Sequence, residues 1–332
     1  MKKLLAVLLA LTLVFALVAC AKEGASSPSE PPAATTNAPA STEAPAVSEV
    51  PETPAEPSIA ADRQGNPITI PAEINRVITF GPANAEILVG LGVADKIIAI
   101  DTYAFDVAGL PADLPAYDMY TPDAEQILTL EPDVLIVTGM AQSQGSDPFK
   151  PLSDAGVCVI YVPSSESIEG IREDIRFLGN VFGKTDAANT LVADIDAKIA
   201  EVKAIGDTIT DKKTVFFTLA DSSYLYSFGS GTFLNEIIEL VGAANVFADQ
   251  TSWIGVSDEQ VLSANPDVIL TSVNYLEDAI ADIVSIPGFD AITAVQNGDV
   301  YYIDTNLSNR ANQNITKAID QIAEAIYPDV YK

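Results

Sequence analysis

A ten-residue phrase occurs twice in this chain. Glu125-Gln126-Ile127-Leu128-Thr129-Leu130-Glu131-Pro132-Asp133-Val134 returns 134 positions later as Glu259-Gln260-Val261-Leu262-Ser263-Ala264-Asn265-Pro266-Asp267-Val268. Each copy runs on into an apolar strand, Leu135-Ile136-Val137 or Ile269-Leu270. The spacing is far too long for a stacked solenoid repeat. It suits two similar lobes, each carrying the same exposed helix start at the matching place. A generic α/β idiom accounts for helix, turn, Pro-Asp and strand. It does not account for chemical type being kept at almost every aligned position, nor for a glutamate heading both copies.

The rest of the folded part alternates strand with helix. Asn75 to Phe80 reads as a strand, and Gly81-Pro82-Ala83-Asn84 turns it into a helix over Ala85 to Gly92. Ile97 to Ile100 is a second strand. Val134 to Val137 follows the first copy of the phrase, and Thr138 to Gln142 is a loop. A helix near Pro148 to Ala155 leads to the strand around Cys158. After residue 206 the pattern restarts, with strand Thr214 to Leu219, the polar-aromatic loop Asp221 to Tyr226, helix Thr232 to Val241 and a loop bearing Trp253. Beyond the second copy lie strand Val268 to Leu270, loop Thr271 to Tyr275, strand Val300 to Ile303 and a final helix from Arg310 to Ile326. Strands separated by helical stretches imply parallel βαβ units. The predicted class is α/β, two lobes with mainly parallel sheets.

Between the lobes runs the longest helical segment, residues 185–206. Ala187, Leu191, Ile195, Ile199, Val202 and Ile205 recur at steps of three and four and mark one face. Thr185 is positioned as a cap and Gly206 as a stop. A helix from Thr185 to Ile205 is a rod of about 31 Å. Its place at mid-chain makes it a rigid connector between lobes over 58–184 and 207–332.

The chain opens with Lys2 and Lys3, then an apolar run from Leu4 to Val18, then Leu17-Val18-Ala19-Cys20. That ending resembles the bacterial lipoprotein cleavage box, with residues 1–19 removed and Cys20 lipidated. The apolar run is short for a membrane-spanning helix, and a leader is set aside before fold is considered. Residues 20–57 are mostly Ala, Pro, Ser, Thr and Glu. Such a segment buries too little apolar surface to fold and reads as a solvated tether. The second cysteine, Cys158, sits in a buried strand, so no disulfide forms within one mature chain.

Composition narrows the chemistry. The formal charge is −29, and removing a leader with two lysines and no acids takes it to −31. Nucleic acid as a partner is excluded, because phosphate binding needs a basic face. The absence of histidine removes Ser-His-Asp and Cys-His catalysis and the usual zinc sites. No metal site and no resident cofactor are expected. Paired carboxylates remain open to glycoside hydrolysis, but no pair stands out from the acidic background. The reading is a binding protein rather than an enzyme. The alternatives are a surface adhesion or sensor lipoprotein with a transporter-like fold, and a carboxylate-dependent cell-wall hydrolase.

Four stretches carry a resemblance to the substrate-binding lipoproteins of bacterial ABC importers for iron chelates, haem and cobalamin. They are Arg76 to Leu88 continued by Gly90-Leu91-Gly92, the two copies of the phrase, Thr251-Ser252-Trp253, and Asn309-Arg310 through Tyr327-Pro328. The similarity spans about residues 70 to 330. It implies two α/β lobes joined by one rigid helix, with ligand in the cleft between them. It also implies that one glutamate on each lobe meets arginines of the membrane permease, here Glu125 and Glu259. A carboxylate heading a helix also simply favours its N-terminus; the two roles are compatible.

Ligand contacts in open α/β sheets come from loops at the carboxyl ends of strands. The expected contacts are Asn84, Tyr103, Met119, Tyr120 and Met140 in the first lobe. In the second they are Tyr224, Tyr226, Trp253, Tyr275, Asn306 and Arg310. The implied cargo is a metal chelate: an iron–siderophore first, cobalamin or haem next. Of the five mature arginines (Arg63, Arg76, Arg172, Arg176 and Arg310) only Arg310 falls at the cleft, which argues against a strongly anionic siderophore. Haem would need an axial tyrosine or methionine, such as Tyr103, Tyr224, Met119 or Met140. The expected partners are an importer's permease and ATPase and the membrane, through the lipid on Cys20, outside the cytoplasm. The protein is expected to be a monomer.

Overall fold

The first lobe is built on one sheet of five parallel strands. The computed structural model describes residues 59–142 and 145–332. The leader, Cys20 and the tether expected over residues 20–57 lie outside the described residues. The strands are β1 (Val77–Phe80), β2 (Ile97–Asp101), β3 (Ala116–Tyr117), β4 (Val134–Thr138) and β5 (Cys158–Val162), and they lie side by side in the order β3-β2-β1-β4-β5. Helices α1 (Pro82–Gly90), α2 (Ala124–Thr129), α3 (Lys150–Asp154) and α4 (Ile168–Val181) accompany them. Strand residues alternate between two apolar layers. Val77, Val134 and Ile136 face α1 and α4. Ile78, Phe80, Leu135 and Val137 face Ile127 of α2, Leu152 of α3 and Phe149 just before α3.

Helix α5 (Thr185–Gly206) then leads to the second lobe. That lobe holds β6 (Thr214–Thr218), β7 (Tyr226–Phe228), α6 (Phe233–Leu240), β8 (Ala244–Asn245), β9 (Trp253–Gly255), α7 (Asp258–Ala264), β10 (Val268–Thr271), α8 (Ala279–Val284), α9 (Thr293–Asn297), β11 (Val300–Tyr302), α10 (Thr305–Ser308) and α11 (Ile315–Ile326). Its parallel sheet runs β11-β10-β6-β8, and β7 pairs with β9 as an antiparallel ribbon. Trp253, expected in a loop, therefore opens a strand.

The repeated phrase has one structural meaning in both lobes. Asp123 and Ser257 cap α2 and α7 by accepting from the amides of Gln126 and Gln260. Ile127 and Val261 are fully buried. Each unit then turns through a left-handed residue, Glu131 at φ 45° and Asn265 at φ 44°, before its proline. The aspartate that follows pins the neighbouring strand. Asp133 accepts from the amides of Asn75 and Arg76 at 2.7 and 2.8 Å. Asp267 accepts from the amide and hydroxyl of Thr214 at 2.8 and 2.7 Å. Val134 thus starts in register with Val77, and Val268 with Val215.

Three details of the helices differ from expectation. The buried positions of α5 are Ala188, Val192, Ile195, Val202 and Gly206, so the face is broader than the predicted stripe. The helix is covered on one side by α4 and on another by α6 and α11, which draws in residues beside Ala187 and Leu191. Thr185 makes no cap; its hydroxyl donates to Asn180 Oδ1 at 3.0 Å. Gly206 is the last residue of α5 and must be glycine, because a β-carbon there would lie 2.3 Å from the Leu240 carbonyl oxygen. The last helix begins at Ile315, not Arg310. Its asparagines explain the delay, since Asn prefers local backbone bonds to a helical interior: Asn312 Oδ1 accepts from the Asn314 amide at 2.7 Å.

One apolar cluster runs from the first sheet through α4, α5, α6 and α11 to the second sheet. The chain's end is fastened to it. The Tyr331 hydroxyl donates to the carbonyls of Val202 and Val241, and that of Tyr327 to Gly242. No helix among the described residues is long and apolar enough to cross a membrane.

Candidate functional site

A cleft of about 570 Å³ is lined from both lobes. In the first sheet the strand order reverses between β1 and β4, and the loops leaving these two strands diverge. That is where open α/β sheets bind ligands, and Gly81 to Asn84, Thr138 and Met140 line the cleft there. Gly81 has φ 97°, and a β-carbon on it would lie 2.9 Å from Thr138 Cβ. Only glycine allows β1 to turn so tightly into α1. Its amide donates to the buried carboxylate of Asp101 at the end of β2. Burial holds Asp101 above the ordinary carboxylate value, against amide hydrogen bonds from Gly81 and Tyr103 that pull it down.

The second lobe contributes Leu219 from the end of β6, Tyr226 and Trp253 from the ribbon, Phe233 and Leu234 from α6, and Asn309 to Ala311. Trp253 stands edge-on to Phe228 and Phe233, with ring centroids 5.9 and 6.3 Å apart. Its position is therefore set by two buried aromatics before any ligand arrives.

Six of the eleven expected contacts line this cleft: Asn84, Met119, Met140, Tyr226, Trp253 and Arg310. Two of these also have structural duties. The Asn84 amide donates to the Phe80 carbonyl at 3.0 Å, and Met119 is buried in the first-lobe core. The other five are not among the lining residues. Tyr103 is exposed on the loop after β2, and Tyr120 packs against the first-lobe core. Tyr224 is exposed and stacks on Tyr226 at 6.2 Å. Tyr275 accepts from the Asp221 amide at 3.2 Å, and Asn306 donates to Asp106 at 2.8 Å. Sequence reasoning missed Ser165, Glu166 and Asp174, which also line the cleft. Glu166 lies in the segment between β5 and α4 and Asp174 in α4 itself, a helix the sequence reading left out. Ser167 before Ile168, Ile171, Ile175 and Leu178 was the available signal.

The electrostatics of the cleft are unusual for a site with an arginine. Arg310 Nη1 lies 2.6 Å from Glu86 and Nη2 lies 2.8 Å from Asp106. Burial alone would lower the guanidinium, but its bonds to Asp106 and Glu86 hold it above its ordinary value. Asp174 is likewise paired, with Arg63 at 2.7 Å and with the Ser165 hydroxyl. Burial raises its carboxyl all the same, against those two partners. Among the described lining residues, no cation faces the cleft unpaired, and exposed Glu166 adds negative charge. The remaining lining is mainly apolar.

Glu125 and Glu259 lie outside the lining, exposed in the first turns of α2 and α7. Hydrogen bonding at the helix start holds the Glu259 carboxyl below its ordinary value, so it is ionised at neutral pH.

A family model described as periplasmic binding protein matches residues 77–307. The ABC transporter substrate-binding lipoprotein YvrC of Bacillus subtilis is 29% identical over 276 residues, covering 82% of this chain and 86% of its own. The vitamin B12-binding protein of Vibrio cholerae is 27% identical over 257 residues, covering 76% of this chain and 88% of its own. The solved periplasmic heme-binding protein HutB of Vibrio cholerae has a TM-score of 0.68 at 25% identity, over 76% of this chain and 99% of that one.

Proposed function

The chain belongs to the periplasmic binding protein family, and we propose that it is the extracytoplasmic receptor of an ABC importer for an uncharged, corrinoid-type metal chelate. Members of this family bind solutes and hand them on; the chain is not an enzyme. Within the expected set of iron–siderophore, cobalamin and haem, one observation favours the corrinoid. The one arginine among the described lining residues is already paired with Glu86 and Asp106. A polyanionic chelate entering beside Glu166 would find no free counter-charge. A large ligand with apolar faces and neutral amide edges suits Trp253, Met140, Phe233 and the prolines of the lining.

Delivery follows from Glu125 and Glu259. They stand at matching places on the two lobes, away from the cleft lining. Two carboxylates set apart on a rigid body fit two guanidinium groups of a permease, because such pairs are directional as well as strong. Lipid on Cys20 and the tether keep the receptor at the membrane that holds the permease.

The reading is tested by thermal shift and calorimetry on the purified protein, using cyanocobalamin, haem and a triply anionic ferric siderophore. Ligand that binds only the native state raises the melting temperature. Cyanocobalamin is expected to give the largest shift. A shift from the anionic siderophore alone would overturn the proposal.

A further inference from the structure

Glu86 belongs to the first lobe, yet every partner of its carboxylate belongs to the second. Arg310 Nη1 donates to Oε1 at 2.6 Å, and the side-chain amides of Asn312 and Asn314 donate to Oε2, the latter at 3.0 Å. Gln313 Nε2 donates to the backbone carbonyl of Glu86 at 2.8 Å. Asp106, in the loop after β2, holds the other side of the same guanidinium. Arg310 Nη2 reaches both its oxygens, at 2.8 and 3.0 Å, and Asn306 donates to it at 2.8 Å. The Arg310 side chain is only 11% exposed. Asn312 is fully buried, so the segment that presents Arg310 is fixed in shape.

An arginine on the wall of a cleft ordinarily recognises a carboxylate or phosphate, because its planar fork matches two oxygens at once. Here that fork is filled from inside the protein. An incoming anion would have to displace an internal carboxylate and then lie beside it. We propose that Glu86 and Asp106 are the specificity-determining residues of the cleft: by occupying Arg310 they bar anionic chelates, and neutralising both would open the cleft to them. The inference rests on the cleft being the ligand site, as proposed above, but names the residues that select by charge.

The test compares wild type, Asp106→Asn and the double variant Glu86→Gln/Asp106→Asn. Both substitutions keep side-chain size and remove charge, at the cost of exchanging one acceptor oxygen for an amide donor. The probes are haem, a dicarboxylate, and cyanocobalamin. Trp253 is the only tryptophan in the chain and lines the cleft, so its emission reports filling. Urea unfolding establishes that each variant is folded. The haem-to-cobalamin affinity ratio is expected to rise at least tenfold in the double variant. Haem binding should also weaken with added salt, and adding Arg310→Ala should abolish the gain. Asp106→Asn alone should move the ratio the same way by less, and it decides the matter if the double variant does not fold. A folded variant whose ratio stays within twofold of wild type overturns the inference. If cyanocobalamin binds neither protein while haem binding is gained, the corrinoid reading fails and the charge selection stands.

Discussion

Replacing Trp253 with alanine should weaken both the fold and the ligand complex, by amounts the structure lets one apportion. The ring makes two edge-to-face contacts, with Phe228 at 73° and Phe233 at 68° between planes. Such pairs contribute about 0.5–1.5 kcal/mol each beyond area burial, so the two account for about 1–3 kcal/mol. The hole left between the ribbon and α6 adds to this, and Trp→Ala changes in cores cost about 3–5 kcal/mol in all. Because Trp253 is only partly buried, the stability loss should sit near the lower end. Its other face lines the cleft, and truncating such an anchor costs about 1–3 kcal/mol of binding. That corresponds to roughly five- to hundredfold in Kd. Calorimetric titration with cyanocobalamin measures the second term. Urea unfolding followed by far-ultraviolet circular dichroism measures the first, since the variant has no tryptophan left to follow. Trp253→Phe keeps an aromatic edge against Phe228 and Phe233 and should recover most of the stability but less of the affinity. A folded Trp253→Ala protein with a Kd within twofold of wild type would refute the reasoning.

Reversing the charge of both Glu125 and Glu259 to lysine should abolish uptake in cells yet leave solution affinity nearly intact; loss of affinity would place them in the pocket instead. Scattering profiles with and without cyanocobalamin should nearly superimpose, because α5 is packed on two sides and Glu86 and Asp106 tie the lobes together; a large fall in radius of gyration would contradict this. Burial holds Asp101 above the ordinary carboxylate value. Between the ordinary and raised values the native state binds more protons than the unfolded one, so its contribution to stability falls as pH rises through that window. Asp101→Asn should therefore flatten the pH dependence of stability from about pH 4 upward, and an unchanged slope in denaturant unfolding would count against it.

The sequence disclosed what is local or repeated. The two copies of the phrase gave both lobes, because a helix cap, a buried aliphatic residue and Pro-Asp are short-range chemistry. The longer strands of both sheets read as apolar runs for the same reason, whereas the two-residue edge strands β3 and β8 carry no such run and went unread. The ends of the last helix were harder. Asn309, Asn312 and Asn314 argue for turns, but the apolar period of α11 drew its start back to Arg310. The site was half legible. Strand-end loops pointed to Asn84, Met140 and Tyr226, while nothing local distinguished Tyr224, which stacks outside, from Tyr226, which faces inward. The pairing of Arg310 with Glu86 and Asp106 had no signal at all, since its members are 204 to 224 residues apart.

Glu86 also bears on the order in which the molecule can be made. A chain emerging N-terminus first presents α1 early, but Asn312, Gln313 and Asn314 follow it by 226 to 228 residues. Contacts that distant form late, and unfinished intermediates of larger proteins aggregate through the surfaces they leave open. The two lobes look like duplicates, yet the first is complete as sequence long before it is complete as structure. A chain ending before Asn309 should expose α1 and α5 and be cleaved by protease throughout the first lobe, whereas independent folding of that lobe would leave it resistant. The molecule is therefore finished, in structural terms, only when the segment that begins its last helix has been added.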